Sequence, residues 1–264
     1  MPTLTTSPGI VLYYSDLNPN GHPTVTLLHG LGATGESWAL QIPALENQGY
    51  RVLVPDLRGF GKTTYSGKSH TIHDMAADVI SLMDAVVLPS SHIVGISMGG
   101  AIALQLAYEY PNRVQRLVLV NTFARLRPRS GRQILYFATR IALLYSIGLP
   151  AQASYVTNRL FPQPHQIHLR KALSDQIVQA NPHGYRATIR ALAKFNLKDQ
   201  LNQISHPTLV ITGEKDLTVT PETQRYLIDN IPQARQVVIR GAGHGVTGEK
   251  PIEFNQELIR FLRG

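Results

Sequence analysis

Seven short apolar stretches punctuate the chain, at residues 10–14, 24–28, 51–55, 92–96, 116–120, 208–212 and 236–240. They are rich in β-branched residues, and most show no polar–apolar alternation. Strands covered by helices on both faces read this way, as in a parallel sheet. Between them the apolar residues switch to helical spacing. Ile72, Met75, Ala76, Val79, Ile80, Met83 and Val86 form one such face, behind Thr71-Ile72-His73-Asp74, a capping box with Asp in the Glu position. A second helix is predicted over 99–108, ending before Pro111. A third opens at Thr220-Pro221, N-cap plus N1 proline, and runs to 228; a fourth covers 252–262. Alternating strands and helices predict an α/β protein with a doubly wound parallel sheet.

The rhythm stops near Phe123 and resumes near Pro207. Helical stretches at 132–147 and 165–180 lie between, broken by Gly148, Pro150, Pro162, Pro164 and Pro182. The predicted organisation is therefore a core of residues 1–124 and 206–264 with a helical insertion at 125–205. No internal repeat is visible. The formal net charge is +8, and it is unevenly placed. The insertion holds twelve Lys and Arg against two Asp and Glu, the remainder 13 against 15. Arg125, Arg127, Arg129 and Arg132 cluster at its start, and an apolar run over 134–149 follows, interrupted by Arg140. Two readings stay open: a solvated basic face over helices that pack on the core, or a surface that draws carboxylate-bearing substrates or touches an anionic membrane. No nucleic-acid-binding motif accompanies the charge, so no nucleic-acid partner is predicted.

Composition narrows the classes. At 264 residues and 43% hydrophobic, the chain can bury a full core, and disorder is excluded as its main state. With no cysteine, a disulfide framework, a thiolate metal site and a cysteine nucleophile are all excluded. No apolar run approaches the roughly 18 residues of a membrane span. Residues Met1 to Pro8 lack the basic start and apolar stretch of a secretory signal, so a cytoplasmic location is expected. The sequence carries no signature of oligomeric state.

The strongest chemical signal is Gly95-Ile96-Ser97-Met98-Gly99-Gly100, which follows an apolar strand and precedes a helix. A turn that tight needs glycines around the serine, and it presents Ser97 on a sharp bend beside a helix N-terminus, which favours developing negative charge. A serine hydroxyl needs a base, and the base needs an orienting acid. Two later strands end in loops on the same sheet edge. One carries Gly213-Glu214-Lys215-Asp216, the other Gly241-Ala242-Gly243-His244-Gly245. Asp216 and His244 are the candidates, with Glu214 as the competing acid; Asn121, after the 116–120 strand, cannot serve as one. Only His29 and His244 follow predicted strands directly. His70, His73, His165, His168, His183 and His206 read as loop or helix-surface residues. Acyl transfer also needs donors for the oxyanion. The backbone N–H of Met98 supplies one, and that of Leu31, in His29-Gly30-Leu31-Gly32, is the best candidate for the other. Trp38 reads as the start of a helix after this loop and as core.

These motifs, together with Asp56-Leu57-Arg58-Gly59-Phe60-Gly61, occur in the order found in the α/β-hydrolase superfamily, which the chain resembles over nearly its whole length. The order Ser97, Asp216, His244 matches that family's triad. The resemblance implies a mostly parallel sheet of about eight strands flanked by helices, with 125–205 in the position of a helical cap, and structural roles for Asp56 and Arg58. Within the superfamily the chain is most similar to carboxylesterases and 3-oxoadipate enol-lactonase-like serine hydrolases. That implies cleavage of a small-molecule ester or lactone through an acyl-enzyme, with neither metal nor organic cofactor. Carbon–carbon bond hydrolases of this fold, and ligand receptors that keep the triad, stay open as alternatives.

Overall fold

The computed structural model describes residues 2–7, 9–128 and 130–264, with Ser7 described in its backbone alone. Met1, Pro8 and Arg129 lie outside the described residues, and with Arg129 one member of the predicted basic cluster. The strands are β1 (Thr3–Ser7), β2 (Ile10–Leu17), β3 (Thr24–Leu28), β4 (Arg51–Pro55), β5 (Ser91–Ile96), β6 (Val114–Val120), β7 (Thr208–Gly213) and β8 (Ala234–Ile239). The helices are α1 (Ile42–Glu46), α2 (Ile72–Ala85), α3 (Met98–Glu109), α4 (Gly131–Ser146), α5 (Leu149–Leu160), α6 (Ile167–Gln179), α7 (Pro182–Lys194), α8 (Pro221–Asn230), α9 (Val246–Glu249) and α10 (Pro251–Arg263). Short 3-10 turns join several of them.

One eight-stranded sheet results, in the order β1-β2-β4-β3-β5-β6-β7-β8. From β4 to β8 every pairing is parallel; β1 and β2 run antiparallel at one edge. The registers Leu28↔Gly95, Ile96↔Val120 and Gly213↔Ile239 bring the C-terminal ends of β3, β5, β6, β7 and β8 to one rim. Side chains alternate across the sheet and feed a core on each face. Leu28 and Leu53 join Met75, Val79 and Leu104 of α2 and α3 on one side. Val25, Leu27, Val52 and Val94 join Trp38, Leu45, Phe254 and Leu258 on the other.

The α/β class and the seven pattern-derived strands agree with the observed sheet to within a few residues at their ends. β1 was not anticipated, since Thr3–Ser7 offers Leu4 as its one apolar residue and owes its place to pairing with β2. β8 starts earlier than the apolar run because it pairs with β7 from Ala234 onward, and as an edge strand it tolerates Arg235 and Gln236. Trp38 is fully buried, as expected of core, but it ends a 3-10 turn (Gly35–Trp38) instead of starting a helix. Its ring packs 6.4 Å from that of Phe254, so a distant contact sets its position.

Between β6 and β7 the described chain is helical, α4 to α7, apart from an isolated bridge between Arg125 and Asn196. Here the apolar run and its face disagree. α4 turns Tyr136, Arg140 and Leu144 inward, at spacing i, i+4, i+8, while Ile134, Leu135, Ile141 and Tyr145 stand exposed. Arg125, Arg127 and Arg132 are exposed too. His70 and His206, expected at the surface, are buried instead. His70 Nε2 lies 2.9 Å from Thr188 Oγ1 of α7, and His206 Nε2 lies 2.9 Å from the Pro111 carbonyl, both long-range contacts without a local signature.

Candidate active site

β5 ends at Ile96 and α3 begins at Met98, which leaves Ser97 alone to turn the chain. Its backbone sits at φ +54° and ψ −111°. A non-glycine residue there costs on the order of 1–3 kcal/mol and persists only when its surroundings over-determine it. They do. Ser97 N donates to the Val120 carbonyl at 2.9 Å, and the Ser97 carbonyl accepts from Thr122 Oγ1 at 2.6 Å and Ala101 N at 3.1 Å. The glycines are steric necessities: a Cβ on Gly95 would meet the Gly99 carbonyl, and one on Gly99 the Leu28 carbonyl.

Asp216 lies in the turn after β7, its side chain buried. Its Oδ1 accepts from the Thr218 and Val219 amides at 2.7 and 3.0 Å. Its Oδ2 lies 2.7 Å from His244 Nδ1. That contact makes Nδ1 the donor and leaves Nε2 as the nitrogen able to accept a proton. Glu214, the competing acid, instead accepts from the Gly241 amide on the outside of the same loops. His29 is fully buried, and both its nitrogens are engaged: Nε2 accepts from Leu57 N at 2.9 Å and Nδ1 meets the Gly30 carbonyl at 2.8 Å. Burial lowers its pKa, so it stays a neutral brace under the early loop. Asp56 and Arg58 brace likewise. Asp56 accepts from the Gly35 and Lys62 amides, and Arg58 forks onto Asp78.

That early loop faces the elbow. A Cβ on Gly30 would lie 3.7 Å from the Ser97 Cβ. No backbone carbonyl among the described residues takes the Leu31 N–H, and Met98, as the first residue of α3, has no intrahelical acceptor for its own. Leu31, Ser97 and His244 open on one cavity of about 280 Å³, which Phe137, Val156, Leu160 and Leu173 from α4, α5 and α6 also line. Met98 itself is buried behind the elbow.

Two residues here were not among the candidates. Asn121, at φ +44°, donates through Nδ2 to the Gly243 and His244 carbonyls and accepts through Oδ1 from the Gly213 amide and Gln224 Nε2. Glu249 accepts from the Gly243 and Gly245 amides, one on each side of His244, and from Gln166 Nε2. Burial pushes its carboxyl above the usual carboxylate range, against those hydrogen bonds. The histidine loop is thus held from both sides.

The family model described as "alpha/beta hydrolase fold" matches residues 23–251. The chain belongs to the α/β-hydrolase fold family. It is 34% identical over 247 residues to the "Putative carbamate hydrolase RutD" of Caulobacter sp. (strain K31), covering 91% of each chain. Among solved structures it is similar to the enol-lactonase of Burkholderia xenovorans LB400, at TM-score 0.91 and 28% identity with all of both chains covered. It also resembles an esterase of Exiguobacterium antarcticum, at TM-score 0.89 and 25% identity over 99% of each chain. Hydrolase is the class in which the α/β-hydrolase family and these relatives place it.

Proposed function

We propose that the chain is a serine hydrolase that cleaves small carboxylic esters or lactones through Ser97, His244 and Asp216. One observation carries the reading: Ser97 and His244 share a cavity, and the histidine's other nitrogen is bonded to a buried carboxylate. In the proposed reaction Ser97 Oγ attacks the carbonyl carbon and His244 Nε2 takes its proton. Asp216 holds the ring and stabilises the imidazolium. The Leu31 and Met98 amides receive the oxyanion, each worth on the order of 10²–10³ in turnover. His244 gives the proton to the leaving alkoxide as the acyl-enzyme forms, later draws one from the water that attacks the acyl carbonyl, and hands it to Ser97 Oγ as the ester bond to the serine breaks and the acid leaves. No step uses a metal or an organic cofactor. Residues 125–205 act as the cap, closing an apolar pocket over the acyl group, and the enzyme works on small molecules in the cytoplasm.

A second reading, carbamate hydrolysis, rests on the relatives of that name. The same serine would attack a carbamate carbonyl, so one panel separates the two. Initial rates on p-nitrophenyl esters from acetate to palmitate, with a p-nitrophenyl carbamate beside them, are compared for wild type and Ser97→Ala. Turnover by wild type, lowered about 10³-fold or more in Ser97→Ala, is the expected result. A folded wild type inert on every ester and on the carbamate would overturn the proposal. A carbamate outpacing all esters would select the second reading.

A further inference from the structure

A second cavity, of about 410 Å³, opens where the helical insertion joins the core. Arg125, Arg127 and Pro128 reach it from the segment that leaves the core, Lys198 from the segment that returns, and Thr223 and Tyr226 from α8. None of these residues lines the catalytic cavity. The two crossing segments are tied to each other. Arg125 and Asn196 form a bridge, and Leu197 N donates to the Ala124 carbonyl at 2.9 Å. Along the outgoing segment Leu126 lines the catalytic cavity, while Arg125 and Arg127, on either side of it, line this cleft.

Three cations thus meet where no carboxylate does. Arg125, Arg127 and Lys198 are exposed, and none of them makes an ion pair among the described residues. Asp199 and Glu222 adjoin lining residues in sequence, but neither lines the cleft. Lys198 Nζ stands 5.1 Å from the centroid of the Tyr226 ring, a cation–π contact that holds the ammonium against α8. A cleft lined by one sign of charge focuses its field and concentrates counter-ions. An anion that answers three cations needs more than one charge, and oxygens enough for two guanidinium forks and an ammonium. A phosphate monoester meets both needs, with close to two negative charges near pH 7 and three acceptor oxygens. A carboxylate brings one charge. The Thr223 hydroxyl, in the first turn of α8, adds a neutral donor. Pro128 and the Tyr226 ring offer apolar surface to an organic group, and the volume falls within the roughly 300–1,000 Å³ of small-molecule pockets.

We propose that this cleft is a binding site for a phosphorylated small molecule, apart from the catalytic cavity. Arg125, Arg127 and Lys198 receive the phosphoryl oxygens, and Tyr226 and Pro128 the organic part. The bound ligand joins both crossings of the insertion to α8 and touches the segment whose Leu126 lines the catalytic cavity.

The test is calorimetry on the full chain with phenyl phosphate and inorganic pyrophosphate, at constant ionic strength. Wild type is expected to bind both with Kd below about 1 mM. Arg127→Gln and Lys198→Gln should each weaken binding about 10-fold, the loss of one charge-assisted contact. Arg132→Gln removes an exposed cation of α4 outside the cleft and should leave Kd within about twofold. All three side chains are exposed, so the substitutions leave the core intact. Phenyl phosphate should also raise the urea midpoint of wild type, as a ligand of the folded state does, and should not raise that of the double variant Arg127→Gln/Lys198→Gln. No binding by wild type, or binding untouched by either cleft substitution, overturns the proposal. So does glutarate bound as tightly as phenyl phosphate. Equal losses in Arg127→Gln and Arg132→Gln overturn it as well, since the attraction would then belong to the whole basic face. None of these readouts depends on hydrolysis, so the site and the reaction fail separately.

Discussion

Asn121 shows what a single buried residue outside the cavity lining can do. Its one amide closes the ends of β6 and β7 onto the histidine loop by four hydrogen bonds. Asparagine also tolerates the left-handed backbone found there. Replacing Asn121 with Asp keeps the acceptor for Gly213 but sets a carboxylate against the Gly243 and His244 carbonyls. The expected result is a fall in kcat on the order of 10- to 100-fold, the scale of a displaced catalytic group, with KM little changed. A kcat equal to wild type would show that the loop keeps its place without this clamp. Ser97, Asp216 and His244 are legible in the sequence because each follows an apolar strand within a glycine-bearing loop. Asn121 and Glu249 are not, because their meaning lies in contacts. Asn121 reaches Gly243 and His244 across 122 and 123 residues of chain, and nothing near it announces the partner.

Elements are legible where their signals are local. The box before α2 is formed as read: Thr71 Oγ1 accepts from Asp74 N at 3.1 Å, and Asp74 Oδ2 accepts from Thr71 N at 2.7 Å. Because those bonds serve the first turn of a helix packed on the core, Thr71→Ala should cost about 1 kcal/mol, read as a lowered urea midpoint. Thr71→Ser should recover most of it, and equal loss in both variants would put the effect elsewhere than in the cap. Strands β3 to β7 are legible for a related reason, since burial on both faces makes them almost uniformly apolar. α4 is not, because both its faces are apolar. The pattern predicts a helix over 132–147, within a residue of α4 at each end, but cannot choose between Ile134 and Tyr136 as the inward residue. The packing of α4 against α5 and the stacking of Tyr136 on Tyr155 at 5.5 Å decide it. The face so chosen carries Arg140 into the cavity, a result the run of apolar letters hides.

The whole molecule is basic, yet the groups that set its response to acid are spread through the fold away from the exposed arginines. His92, at the start of β5, packs its ring against Tyr50, while its Nδ1 is buried without a hydrogen-bond partner. Burial and, secondarily, Arg116 lower its pKa to about 4. His70, under α7, is lowered to about 4 by burial and by Arg58, and His29 shifts the same way through burial. In the unfolded chain such rings titrate near 6.5. Between about pH 6.5 and 4 the unfolded state therefore binds more protons than the folded one. The stability these rings contribute is present in full above about pH 6.5 and is lost as the pH falls toward 4. Glu249, raised by burial, works in the opposite sense. Three histidines against one carboxyl leave the sign with the histidines. The urea midpoint should thus hold steady from pH 8 to 7 and decline from about 6.5 downward, and His92→Leu should make the decline shallower by removing one of the protons taken up on unfolding. An unchanged slope in His92→Leu would mean that this ring titrates alike in both states, leaving the decline to His70 and His29.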